Sequence, residues 1–140
     1  MKTNVGMGEE SGREALYALD PACRDDRHRR WLLDVAMQSS GCLIAESGGS
    51  IVGYALLTHT FFGNAMIDIL HVAESARRRG IGTRLVREAV RLSETPKIFT
   101  STNESNIPMR ALLAAEGFEH TGTIHNLDEG DPELVFFRYS

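Results

Sequence analysis

Cysteine, tryptophan, a basic surplus and long apolar runs are all scarce in this chain. Its 140 residues include 2 cysteines and 1 tryptophan. Cys23 and Cys42 make neither a disulfide framework nor a zinc site, so two reduced thiols in a cytoplasm are expected. His28, His59, His120 and His125 show no metal-ligand spacing and are read as structural; no metal is expected. Lys plus Arg number 15 against 19 Asp plus Glu, a formal net charge of −4. That balance argues against bulk nucleic-acid binding, which needs a basic face. No apolar run approaches membrane length, and the start lacks the basic-then-apolar pattern of a secretory signal. The expectation is a cytoplasmic protein with no membrane and no nucleic-acid partner. The rest of the composition is ordinary, 42% hydrophobic and 24% charged. It suits one globular domain over residues 1–140 with a real core.

What is present is a concentrated signal between residues 65 and 106. Ala65 to Val72 reads as a strand. Arg77-Arg78-Arg79-Gly80-Ile81-Gly82-Thr83 follows, then an amphipathic run to Leu92. A strand thus feeds a glycine-bearing basic turn that opens a helix. Such a turn aims several backbone N–H groups at one point, with the positive helix end behind them. Glycines let a ligand approach the backbone, and three arginines add charge. The bland alternative is a solvated basic turn. The strand, glycines and helix around it favour a phosphate site. A P-loop would need Gly-Lys-Ser/Thr, whereas Gly82-Thr83-Arg84 has no lysine. A dinucleotide turn would need a third glycine, and position 85 is Leu.

The remaining pattern predicts an α/β (α+β) domain. Ser11-Gly-Arg-Glu14 reads as a capping box for a helix over 15–19, broken at Asp20-Pro21. Asp25 or Asp26 caps a second helix to about Ser39, with Trp31, Leu32, Val35 and Ala36 on one face. Cys42–Glu46 and Ile51–Thr60 form a hairpin around Gly48-Gly49, and Gly63-Asn64 turns into the strand 65–72. A helix from Thr83 buries Leu85, Val86, Ala89 and Val90. Strand Lys97–Thr102 follows, then a helix capped by Asn106 and ended by Gly117. Phe118–Leu127 and Glu133–Tyr139 close the chain as strands. The expected fold is a mixed, mostly antiparallel sheet of six or seven strands flanked by about four helices. Residues 3 to 6 offer barely a first strand.

This element order, with Arg77-x-x-Gly80-x-Gly82 after a strand, resembles the GNAT superfamily of N-acetyltransferases over roughly residues 40 to 140. Two further segments match in order. One is Val52-Gly-Tyr-Ala55. The other is Asn106-x-x-Met109-x-x-Leu112, running to Gly117-Phe118. The resemblance implies acetyl-coenzyme A as cosubstrate. It assigns the pyrophosphate to Arg77, Arg78, Arg79, Gly80, Ile81, Gly82 and Thr83. It sets the pantetheine arm against backbone at Leu70, His71 and Val72, like an added strand, with Asn106 touching it. An N–H there, that of Val72, would polarise the thioester carbonyl. The gap between strands 65–72 and 97–102 would admit the cofactor. Asn106 also reads as a plain helix cap, and both roles coexist.

The resemblance makes Asp68 and His71 the candidate bases. Strict alternation sets them on opposite faces of the strand unless a bulge intervenes. Their plainer readings are a partly buried carboxylate paired across the sheet and a packed edge histidine. Leu113 departs from the family, which commonly places a tyrosine there to protonate the leaving thiolate. The loss is survivable. Expelling a thiolate of pKa near 8.5 costs about 2 kcal/mol at pH 7, whereas deprotonating an ammonium of pKa near 10.4 costs roughly 4.6 kcal/mol. A water, Tyr54 or Tyr139 remain substitutes. The segment Asp128-Glu129-Gly-Asp131-Pro-Glu133 lies where the family's last hairpin borders the acceptor pocket, and its carboxylates would attract a cationic amine. It reads equally as a solvated hairpin tip.

The expected activity is therefore direct acetyl transfer from acetyl-coenzyme A to an amine, foremost a small cationic primary amine. The alternatives are a non-catalytic acyl-coenzyme A-binding or regulatory domain, which Leu113 keeps open, and a peptide or protein amine acetylase. A homodimer is compatible with this reading.

Overall fold

The computed structural model describes residues 2–9 and 12–140. Seven strands make one sheet: β1 (Thr3–Met7), β2 (Cys42–Ser47), β3 (Ser50–Phe61), β4 (Asn64–Val72), β5 (Lys97–Asn103), β6 (Glu119–Ile124) and β7 (Glu133–Tyr139). Their spatial order is β1-β2-β3-β4-β5-β7-β6. Every neighbouring pair is antiparallel except β4–β5, which is parallel. The helices are α1 (Arg13–Leu19), α2 (Ala22–Asp25), α3 (Arg27–Gln38), α4 (Ile81–Leu92) and α5 (Ile107–Ala115).

Tight turns set the first hairpins. Gly48 and Gly49 both take positive φ, 59° and 81°, which suits the twist of a two-residue hairpin. Asp26 caps α3 by accepting from the N–H groups of His28 and Arg29. Gly41 ends that helix against β3, where a Cβ would lie 1.8 Å from the Leu57 carbonyl oxygen. Only glycine passes there, and it ties α3 to the middle of β3.

The sheet has two apolar faces. One packs Leu57, Ile67 and Ile98 under α4 and under Leu113 of α5. The other packs Tyr54, Leu56 and Ile69 under α1, α2 and α3, through Leu16, Cys23, Leu33 and Ala36. β1 is a true strand, in antiparallel register from Thr3↔Ser47 to Met7↔Leu43, although its sequence barely signals it. Cross-strand pairing with β2 supplies what local propensity lacks. Trp31 is 53% exposed and stacks on His28, instead of sharing the buried face of Leu32, Leu33 and Ala36. α4 starts at Ile81, two residues earlier than its apolar pattern suggests. β6 stops at Ile124, short of Leu127. Ser11 of the expected capping box lies outside the described residues, and the N-cap of α1 is Gly12.

Candidate active site

β4 and β5 pair only through Ala65↔Ile98, Met66↔Phe99 and Ile67↔Thr100. Thr100 Oγ1 donates to the Ile67 carbonyl at 3.0 Å, closing the last rung. Beyond it the ladder ends, and a cleft of about 670 Å³ opens. Leu70, His71, Val72, Arg77, Arg78, Gly80, Ile81, Gly82, Thr83 and Asn106 line it, with Met109 and Leu112 from α5. Apart from Met109 and Leu112, those are residues expected to hold the cofactor, and of the expected set only Arg79 is missing from the lining. The Arg79 side chain instead lies near the Ala76 carbonyl, with Nε at 3.5 Å.

The turn into α4 has the backbone that an anion needs. Arg78 and Gly80 both sit in the left-handed region, at φ 65° and 74°. Gly80 is the N-cap of α4, and no side chain caps the helix. The first N–H groups of α4 therefore have neither an intrahelical partner nor a capping side chain, at the positive end of the helix. Gly82 lies where a Cβ would come within 3.0 Å of Leu112 Cδ1 and 3.8 Å of Val72 Cγ2. α4, α5 and β4 converge at that point to make the cleft floor. Asn106 Oδ1 accepts from the Met109 N–H at 3.2 Å, so its amide nitrogen is left for the cleft.

The edge of β4 is open to strand addition. The Ala73 N–H bonds to the Val52 carbonyl on the β3 side at 2.8 Å. Backbone direction alternates along a strand, so the Val72 N–H points the other way, into the gap. The Val72 carbonyl does the same and accepts from Arg77 Nε at 3.2 Å. These features fit acetyl-coenzyme A, whose thioester supplies the electrophilic acetyl group. The turn and helix end would take its phosphates, and the β4 edge would take the amide-bearing arm.

The candidate bases lie on the α1–α3 face of β4, and of the two only His71 also lines the cleft. Leu56 pairs with Ile69 and Leu57 with Ile67, which leaves Asp68 as the extra residue of a β-bulge. The bulge resets the alternation that a regular strand would keep. Asp68 accepts a hydrogen bond from Thr58, which follows Tyr54 and Leu56 on the α1–α3 face of β3. His71 packs its ring against Tyr54, centroids 6.0 Å apart, and so shares that face. Burial pushes the Asp68 carboxyl above the usual carboxylate range; the Thr58 bond and the field of His28 pull it partly back.

None of the thiolate-protonating side chains considered from sequence stands free at the cleft. Leu113 is fully buried in the α4–α5 core. Tyr54 is fully buried, donates to Asp20 Oδ2 at 2.6 Å and lies 3.0 Å from Cys23 Sγ. Burial, with those bonds, raises its pKa far above the phenolic norm. Tyr139 pairs with Lys97 at the closed end of β5, away from the opening. Burial likewise pushes the Cys42 thiol to about 11 and the Cys23 thiol upward, so neither is a thiolate nucleophile near neutral pH.

The acidic segment after β6 is anchored rather than loose. Asn103 Nδ2 donates to Asp128 Oδ2 at 2.8 Å, and Ser105 Oγ donates to Asp131 Oδ2 at 2.6 Å. Ser101 Oγ donates to Glu133 Oε2 at 2.7 Å. All three donors belong to the end of β5 or just beyond it, where the sheet splits. Sequence reading missed Thr58 and these serine and asparagine partners. Such residues carry no motif and gain a role only through register.

Among the described residues, no helix is long and apolar enough to cross a membrane. No curated relative matches the chain in sequence. The chain is similar to an acetyltransferase of the GNAT family from Bacillus cereus, at 31% identity and TM-score 0.91, over 100% of this chain and 99% of that one. It shares its fold with Arabidopsis thaliana Naa50 in complex with the bisubstrate analogue CoA-Ac-MVNAL, at 18% identity and TM-score 0.82, over 100% of both chains. The ribosomal-protein-S18-alanine N-acetyltransferase from Escherichia coli has the same fold, at 13% identity and TM-score 0.80, over 99% of this chain and 94% of that one. The model of the acetyltransferase (GNAT) family matches residues 9–118, well over half of the chain. The split between β4 and β5, the uncapped α4 and these matches lead to one conclusion: the chain belongs to the GNAT acetyltransferase family, enzymes that move acetyl from acetyl-coenzyme A to an amine.

Proposed function

We propose that residues 1–140 act as one acetyltransferase domain whose acceptor is a small primary amine, cationic in solution. The observation that carries this reading is the anchored acidic loop. Asp128, Asp131 and Glu133 are tied to the end of β5, at the split between β4 and β5. Together with Glu129 they set negative charge beside that mouth, which concentrates a small cation there.

In this reading Asp68 takes the proton from the ammonium and His71 is the secondary candidate. The gap-facing Val72 N–H polarises the thioester carbonyl, and the amine attacks directly. With both thiols buried and protonated, no acyl-enzyme is invoked. With no tyrosine at the cleft among the described residues, water protonates the leaving thiolate.

The test is thiol release from acetyl-coenzyme A across a panel. The panel holds small mono- and diamines, neutral amines, and short peptides with free N-termini. Turnover confined to small cationic amines supports the proposal. Selective turnover of the peptides overturns it in favour of a peptide or protein acetylase.

A further inference from the structure

We propose that Thr58 is the positioning residue of the base: its hydroxyl, held inside the sheet, fixes and polarises the bulged Asp68 carboxylate so that the second oxygen faces the amine. The inference rests on Asp68 being the base, and it goes beyond that reading by naming what makes this carboxylate usable.

Thr58 is 1% exposed, so its hydroxyl has no access to bulk water and must find a partner within the protein. That partner is Asp68 Oδ2. The second neighbour is Thr60 Oγ1, at 3.2 Å. Once Thr58 donates to Asp68, its oxygen is left to accept from Thr60. The result is a directed chain, Thr60 to Thr58 to Asp68, running from an exposed residue through a buried one to a half-buried carboxylate. Donors lined up this way polarise one another and strengthen the final bond.

The bulge explains why the arrangement is needed. Asp68 is the residue left without a cross-strand partner between Leu57↔Ile67 and Leu56↔Ile69, so backbone pairing does not orient it. A side-chain bond from β3 does so instead. One carboxylate oxygen is then occupied and the other is free. Thr58 also acts on the proton. Burial disfavours the charged carboxylate, and a hydroxyl donor favours it. The groups facing Asp68 are few. β3 presents Thr58, α3 presents His28, and β4 itself carries His71 on the same face. Among the described residues, His28 is the one group whose field lowers the Asp68 pKa.

Thr58→Val keeps the shape and removes the donor. The base works only when ionised, so activity rises with pH through the Asp68 pKa. Losing the donor moves that limb to higher pH. The kcat/KM profile of Thr58→Val is expected to shift its acid limb upward by about one pH unit, the scale of one charge-assisted hydrogen bond. Its coenzyme A Kd stays at the wild-type value, and Thr58→Ser restores the wild-type limb. Thr58→Ala, which vacates the site instead of refilling it, must show the same shift. Should Thr58→Val and Thr58→Ala keep the wild-type limb while Asp68→Asn is inactive, Thr58 is only packing and the inference falls alone. Should Asp68→Asn keep its rate, the reading of the base falls and this inference with it.

Discussion

The two sides of the gap between β4 and β5 are built by different means. The cofactor side is backbone: a turn with two left-handed residues, an uncapped helix start and the unpaired edge of a strand. The proposed acceptor side is side chains drawn from distant segments: Asp68 on a bulge, Thr58 from β3, His28 from α3 and the acidic loop anchored to β5. A backbone site tolerates changes of side chain but not of glycine. A side-chain site behaves the other way round. On the proposed reading, the first side would bind coenzyme A, and the second would supply the base chemistry and the choice of amine.

Damage confined to the backbone side is the sharpest way to break this division. Gly82→Asp adds a Cβ only 3.0 Å from Leu112 Cδ1 and a negative charge where phosphate is to sit. Gly80→Asp does the same at a φ of 74°. Both variants are expected to remain folded and to lose coenzyme A affinity on the order of a hundredfold or more, since close approach and positive field both go. Calorimetry on the folded variants decides it, and unchanged affinity would reduce the segment to an ordinary turn.

Next in size is Asp68→Asn. It is expected to lower kcat by about a hundredfold or more, the scale of a general base, with coenzyme A affinity intact. His71→Ala is expected to cost less. Steady-state kinetics beside calorimetry separate the two sides. A loss of cofactor affinity in Asp68→Asn would mean that the division between backbone and side chains is false.

Smaller still is the effect of the loop. Neutralising Asp128 and Glu129 together is expected to raise the acceptor KM several-fold with kcat nearly unchanged, because attraction at the mouth is uniform binding. Rising salt should act in the same direction, since exposed charges are screened over about 8–10 Å. An acceptor KM indifferent to both changes would return the loop to a structural role, tying β7 to β5.

The least effect concerns stability. Burial holds the folded Asp68 pKa above its unfolded value, so the folded protein binds this proton more tightly than the unfolded chain does. The associated stability is full below the unfolded carboxylate pKa and is lost as pH rises through the folded one. At neutral pH Asp68→Asn should therefore raise Tm, and the gain should vanish in acid. Thermal melts at two pH values on either side of that window measure it. A lower Tm at neutral pH would mean that the Thr58 bond outweighs burial.

Much of the fold was legible because its signals are local. The first hairpin turn is two glycines in succession. Asp26 caps α3, Asn106 caps α5, and the glycine turn precedes α4, each within a few residues of what it organises. β1 was barely legible, since its stability comes from pairing with β2 across some forty residues of chain. Trp31 misled because its side chain follows the apolar pattern of α3 in sequence yet stacks outward on His28.

By itself the sequence determined the glycine-bearing basic turn and the order of elements, because glycine freedom, capping and hydrophobic period act over three or four residues. Whether Asp68 and His71 share a face was decided only by the tertiary structure, through the single extra residue of the bulge. Register also decided that Thr58 meets Asp68 and that Glu133 is fastened to β5, while the packing of α1 on the sheet committed Tyr54 to Asp20. These contacts join residues ten to thirty-four positions apart, brought together by sheet register and by the packing of a helix on the sheet, which no short stretch of sequence encodes.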